Sequence, residues 1–258
     1  MGHVNHRSTG LAEATWATLD HDDGRSTPAF DPSTLVELPE PAQRFLRAAI
    51  PTGTPLTTGV VLEMAGQIRL SRRWFPFTAR QLLRAGVGFV WQPDVGGRVL
   101  RFVGADVLGP AGASMEFRLH GRIPVVRADG PDIARSAAGR LAAETVVWLP
   151  QRVTPQAGGV WRAIDADRAA VAVVVPSGTI DVEVTVDRAG RLTEIALERW
   201  NGSATPPALQ PFGGSVTATR SFEGVTIADQ GTVGWNWHTA TQREGEFFRY
   251  SITAARFV

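Results

Sequence analysis

One strong helical signal lies between two long stretches of β pattern, and that placement most restricts the folds open to this chain. It runs Gly130-Pro-Asp-Ile-Ala-Arg-Ser-Ala-Ala-Gly-Arg-Leu-Ala-Ala-Glu-Thr-Val-Val-Trp-Leu-Pro150. Pro131 suits a first helical position, Asp132 sits where the positive end of the helix dipole favours an anion, and Pro150 forbids continuation. Ile133, Ala137, Leu141, Glu144 and Trp148 recur at helical spacing, which sets a carboxylate in the middle of the apolar stripe. A charge there needs a partner or a chemical role. The β-branched run Thr145-Val146-Val147 weakens the last turn, and the residue before a proline prefers extended backbone. A helix is therefore expected over 131–146, with a handover to a strand as early as Glu144.

On the amino-terminal side, Leu56, Val60, Leu62, Met64, Ile68 and Leu70 fall on even positions and polar residues on odd ones. Period two over that length means a long strand with one buried face, and Gly66 marks a bend or bulge within it. Further strands are expected over 77–83, 88–91, 99–103 and 114–123. On the carboxyl-terminal side a meander is expected from Val160 to Trp200, its short turns implying antiparallel neighbours. The prolines of 206–214 point to an irregular loop, and strands over 216–222, 232–238 and 247–257 complete the pattern. A second helix begins near Pro41, buries Phe45, Leu46, Ala49 and Ile50, and stops at Pro51. The fold class that follows is mainly β (α+β): a curved antiparallel sheet or partly open β-barrel, with the central helix on its apolar face and short helices before it.

Residues 1–32 are polar, with one helical pattern in which Ala12, Trp16 and Leu19 share a face, and read as a loosely attached arm. Residues 33–258 contain no linker long enough to separate domains and read as a single antiparallel β domain. His3, His6 and His21 lie among aspartates in the arm, but a metal site needs three or four oriented ligands, and no metal or cofactor is expected.

Composition removes several chemistries. The chain has no cysteine, and all 26 of its basic residues are arginines. Thiol nucleophiles, disulfides, Schiff-base lysines and a phosphate-loop lysine are thereby excluded. A net charge of +1 provides no general field for nucleic acid or anionic membrane. No apolar stretch is long enough to span a bilayer, and the amino terminus lacks a signal-type core, so a cytoplasmic location is the default expectation. The sequence carries no marker of oligomeric state.

The segments Leu38-Pro-Glu-Pro-Ala-Gln-Arg-Phe-Leu46, Trp74-Phe-Pro-Phe-Thr-Ala-Arg-Gln81, Ala142-Ala-Glu-Thr-Val-Val-Trp-Leu-Pro150 and Val233-Gly-Trp235 together resemble an uncharacterised bacterial domain-of-unknown-function family over residues 35–258. That resemblance implies no activity and no catalytic residue. The meander of 159–200 separately resembles the open half-barrel of lipoprotein carriers, which implies an architecture and slightly favours an apolar ligand.

Glu144 carries the sharpest functional question. Arg140 lies one helical turn before it. Arg199 is a second charge on an otherwise apolar face, sharing its strand with Ile195 and Leu197. Glu144 is expected to meet one of these two arginines beneath the helix, and such a buried pair more often fixes an arrangement than performs chemistry. Replacing Glu144 by glutamine is then expected to lower thermal stability. Trp235 and Trp237 are read as sharing one strand face, while Trp91, Trp148, Trp161 and Trp200 lie near the ends of other elements. Such rings form either a core or the wall of a cavity. The small residues of the central helix leave space above the sheet. The leading expectation is a binder of an apolar small molecule or lipid chain, its site lined by Trp148, Trp161, Trp200, Trp235 and Phe117, with Glu144, Arg140 and Arg199 giving polarity. Two alternatives stand beside it: an enzyme using a Glu144-centred site, with Asp106 as a second carboxylate, or a non-catalytic protein-interaction module. No hydrolase, metalloprotease, dinucleotide or phosphate-loop motif is present.

Overall fold

The computed structural model describes residues 7–21 and 27–258. The first half is a meander of β1 (Gly59–Leu70), β2 (Arg73–Arg84), β3 (Gly88–Gly96), β4 (Arg101–Gly109), β5 (Gly112–Leu119) and β6 (Ile123–Asp129). The second is β7 (Val160–Ala163), β8 (Arg168–Val175), β9 (Gly178–Val186), β10 (Leu192–Asn201), β11 (Ala208–Phe222), β12 (Val225–Trp235) and β13 (Glu246–Phe257). All thirteen form one curved sheet in the order β6-β5-β4-β3-β2-β1-β13-β12-β11-β10-β9-β8-β7, with every neighbouring pair antiparallel. The sheet does not close, because β6 and β7 stand at opposite edges. Among the described residues four α-helices accompany it: α1 (Arg7–Leu19), α2 (Glu40–Ala49), α3 (Pro131–Trp148) and the single turn α4 (Gln242–Gly245).

Chain order explains the architecture. The first half runs outward from β1 to the β6 edge, and the second runs inward from the β7 edge to β13, which pairs with β1 at the centre. A single connection must therefore carry the chain from one edge to the other, and α3 is that connection. It lies across the concave face and touches β3 to β6 in one half and β8 to β10 and β12 in the other. The even residues of β1 face this side: Val60, Leu62 and Met64 join the main core, with α2 contributing Phe45, Leu46 and Ala49. The odd residue Val61 faces the opposite side, with Leu82, Val90 and Val107.

Several expectations from the sequence change here. The amino-terminal helix is docked rather than loosely attached: Ala12 and Leu19 are buried against Leu82, Val90 and Val107 on the convex face. The metal reading of His3 and His6 lies outside the described residues. The central helix continues past Glu144 to Trp148, because burial of Val146, Val147 and Trp148 outweighs their weak helical propensity. Thr145 also donates its hydroxyl to the Leu141 carbonyl at 2.7 Å. The single strand expected over 114–123 is a hairpin, since His120 (φ 50°) and Gly121 (φ 71°) adopt the left-handed backbone of a tight turn. Pro211-Phe-Gly-Gly214 lies inside β11 instead of a loop.

The joint between halves relies on close approach. A bulge falls between Glu63 and Met64, and three residues on, a Cβ at Gly66 would stand 1.9 Å from the carbonyl oxygen of Arg249. Gly66→Ala must therefore push β13 away from β1. It is expected to lower stability by about 2 kcal/mol or more, read as a lower urea midpoint by circular dichroism.

Candidate functional site

The strand register prepares the polar half of the site. Leu62 pairs with Gln81, Gln81 with Trp91, Trp91 with Asp106 and Asp106 with Met115, so one cross-strand row on the concave face carries all five. Arg140 descends from α3 onto this row. Its guanidinium lies 4.5 Å from the Phe89 ring centroid and 5.1 Å from that of Trp91. Nη1 donates to Asp106 Oδ2 at 2.8 Å, Nη2 to Gln81 Oε1 at 2.9 Å, and Nε to Glu144 Oε1 at 2.7 Å. Gln81 then donates its amide to Glu144 Oε2 at 2.6 Å, which closes a ring of side-chain hydrogen bonds.

The ring explains why a carboxylate is tolerated in the apolar stripe of α3. Burial pushes the Glu144 carboxyl above its ordinary value, Arg140 and Gln81 oppose that rise without cancelling it, and Asp106 adds to it. Burial would lower the Arg140 guanidinium, but Glu144 and Asp106 outweigh it and hold the group above its ordinary value. Both oxygens of Glu144 accept from donors, an arrangement that suits the ionised form.

Arg199 projects from β10 on the same side. Nε donates to the Ser136 carbonyl at 3.0 Å and Nη2 to Ser136 Oγ at 3.3 Å. Its guanidinium lies 4.5 Å from the centroid of Phe212 and 5.2 Å from that of Trp235. Gly139 makes the room: a Cβ there would stand 2.7 Å from Arg199 Cγ. Desolvation lowers this guanidinium to about 10, with Arg140 adding to the fall and Asp106 and Glu144 opposing it. Among the described residues no carboxylate forms an ion pair with it.

Between α3 and the sheet lies a cavity of about 610 Å³. Its wall is mostly apolar and aromatic, including Trp91, Phe117, Trp148, Phe212, Phe247 and Phe248. Its polar lining residues include Arg69 and Ser71 near the β1–β2 turn, Asp106, Arg140, Glu144 and Arg199, and the pair Ser215 and Thr232. The last two are neighbouring hydroxyls, 2.9 Å apart and hydrogen bonded to each other. Tyr250 also borders the space, and burial keeps its phenol well above the ordinary value.

Of the residues singled out from the sequence, Glu144, Arg140, Arg199, Trp148 and Phe117 border this cavity. Trp148 also anchors α3 by donating Nε1 to the Ala228 carbonyl at 3.1 Å. Three tryptophans lie off it. Trp161 packs edge-on to Phe45 and donates to the Val153 carbonyl at 2.7 Å. Trp200 donates to Asp132 at 3.0 Å beneath Arg135, at the first turn of α3. Trp235 sits behind Phe212 and under Arg199. Nor do Trp235 and Trp237 share a strand face. The strand ends at Trp235, Asn236 turns through φ 57°, and Trp237 packs where a Cβ on Gly213 would be, on the side opposite Phe212. Gln81 and Trp91 were not singled out as site residues. Gln81 could have been found, since it alternates with Phe77, Ala79 and Leu83 and so is a polar residue on an apolar face.

Two substitutions probe the ring. Glutamine at 144 can accept at only one of the two donors that Glu144 serves, so Glu144→Gln is expected to lower the melting temperature. Arg140→Met removes the cation between two buried carboxylates and is expected to cost about 3–5 kcal/mol at neutral pH. The Glu144 carboxyl, already raised, then rises further. A group with a raised folded value favours the fold below its unfolded pKa and loses that contribution as pH climbs through the folded one. The Arg140→Met deficit should thus shrink between pH 7 and pH 5 in urea titrations, and a constant deficit would contradict the ring's charge balance.

No curated protein matches the chain. Solved structures with a similar trace include a putative outer membrane lipoprotein-sorting protein domain from Vibrio parahaemolyticus, 9% identical over 78% of this chain and 85% of that one, with TM-score 0.42. A DUF1329 family protein from Desulfovibrio piger is 9% identical over 84% of this chain and 90% of its own, at TM-score 0.42. A LolA superfamily protein from Nitrosomonas europaea is also 9% identical, over 84% and 92% respectively, at TM-score 0.44. A family model matches residues 28–247, and by that match the chain belongs to DUF6544, a family of unknown function.

Proposed function

We propose that this chain binds an apolar small molecule or acyl chain in the cavity between the concave sheet and α3, with residues 33–258 acting as one unit. The observation that carries the reading is the cavity itself, about 610 Å³ bounded mainly by apolar and aromatic side chains. Protein interiors are ordinarily close packed, and ligand pockets run from roughly 300 to 1,000 Å³. An acyl chain burying on the order of 300 Å² of apolar surface would gain about 7 kcal/mol before the costs of association. A roof already pinned by the Arg140 ring keeps those costs down, because little of the wall has to be ordered by the ligand. The acid–base alternative has less support, since both oxygens of Glu144 are already engaged by Arg140 and Gln81. The protein-interaction alternative draws on edge strand β6, where Ile123, Val125 and Val126 are exposed.

Titration with the neutral fluorophore N-phenyl-1-naphthylamine tests the reading. Saturable enhancement is expected, and Val233→Trp, which places a large ring in the cavity wall, should weaken it by at least about tenfold without altering the far-ultraviolet spectrum. Enhancement insensitive to that substitution, or none at all, would overturn it. Native mass spectrometry separates the alternatives: a ligand-free dimer would favour a protein interface at β6, and a co-purifying apolar molecule would favour the cavity.

A further inference from the structure

Three arginines border the cavity. Arg69 donates to the Glu244 carbonyl and lies over Trp74, while the charges of Arg140 and Arg199 are met differently from each other. Arg140 spends Nε, Nη1 and Nη2 on Glu144, Asp106 and Gln81. Among the described residues Arg199 donates to Ser136 alone, through the edge formed by Nε and Nη2. Its other edge, Nη1 with the outer hydrogen of Nη2, has no protein acceptor among the described residues. The group lies beneath α3 and over Phe212 and Trp235, and the residue is part of the cavity lining. A desolvated guanidinium without an anion is costly, and arginine's planar fork fits a carboxylate through two parallel hydrogen bonds.

We propose that the ligand is a single-chain amphiphile with an anionic oxyacid head, such as a fatty carboxylate, whose oxygens pair with the free edge of Arg199 while its chain fills the aromatic cavity. This rests on the binding reading above and adds to it the charge of the ligand. The lowered value of the Arg199 guanidinium, about 10, accords with a cation whose counter-ion arrives with the ligand. Gly139 belongs to the same device, because any larger residue would displace the arginine stem from the seat beneath α3. Arg140 is ion-paired to both the Asp106 and the Glu144 carboxylates and so offsets part of their repulsion of the head.

Displacement of N-phenyl-1-naphthylamine by laurate and by dodecanol, two chains of equal length, tests the proposal. The wild-type protein is expected to prefer laurate by about tenfold or more, the scale of a charge-assisted pair. Arg199→Met should bring the laurate-to-dodecanol ratio to near one, and Arg199→Lys should keep part of the preference. Equal affinity of the wild type for the two ligands would overturn the anionic head and leave apolar binding standing. Failure of both ligands, together with failure of the dye, would overturn both readings. The wild-type ratio decides even if neither variant folds. An unchanged ratio in a folded Arg199→Met protein would assign the selectivity elsewhere and also overturn the proposal.

Discussion

The grip of Arg140 on the floor of the sheet is the interaction on which the site depends. Helix α3 has to cross from the β6 edge to the β7 edge, and nothing in that task requires it to stand at a fixed height above the strands. Arg140 sets the height. Its guanidinium reaches down to the row of Gln81, Trp91 and Asp106, and Glu144 one turn along holds the same guanidinium from the side of the helix. Such a polar cluster contributes little to net stability compared with well-packed apolar side chains of the same volume, since two carboxylates and a cation must shed water. What it supplies is position: a roof held over the hollow with its acid occupied.

The small residues of α3 divide into two uses. Ala137, Ala138, Leu141 and Ala142 are buried in close contact, which brings the helix down onto the strands of both halves. Ala143 instead borders the cavity, and Gly139 admits the stem of Arg199. A helix poor in bulk can thus pack tightly along most of its length and still leave a hollow beside it, provided the rings that bound the hollow come from the sheet. Most do: Trp91, Phe117, Phe212, Phe247 and Phe248 belong to strands, while Trp148 comes from the last turn of α3.

Periodicity made the fold class legible. Strict alternation in β1 and in the meander of β8 to β10 marks strands whatever their partners, and the capping prolines of α3 mark a helix from local signals alone. The mistakes share one cause, which is that tertiary contacts overrule local preference. Thr145 to Val147 stay helical because the core needs them there, and Pro211 to Gly214 stay extended because the ring of Trp237 fills the place of a side chain at Gly213. The two charged residues on apolar faces, Glu144 and Arg199, were visible as anomalies of pattern. Which arginine met Glu144 was not, since that depends on register: Asp106 and Gln81 lie on strands that pattern alone cannot align. The expected shared face of Trp235 and Trp237 fails because Asn236, one left-handed residue, sends the two rings to opposite sides.

The unjoined borders of the sheet carry a consequence for what the hollow can hold. In a sealed barrel, strand number and stagger fix the girth, and guests are sorted by a rigid gauge. Here β6 ends the sheet with nothing beyond it, and Val125 and Val126 on that last strand form part of the wall. Splaying one hairpin outward would widen the chamber without breaking a ladder between β6 and β7, because these edge strands do not pair among the described residues. On the binding reading proposed above, guests of differing bulk could share one berth, and discrimination among them would fall to the polar atoms inside rather than to the container's dimensions.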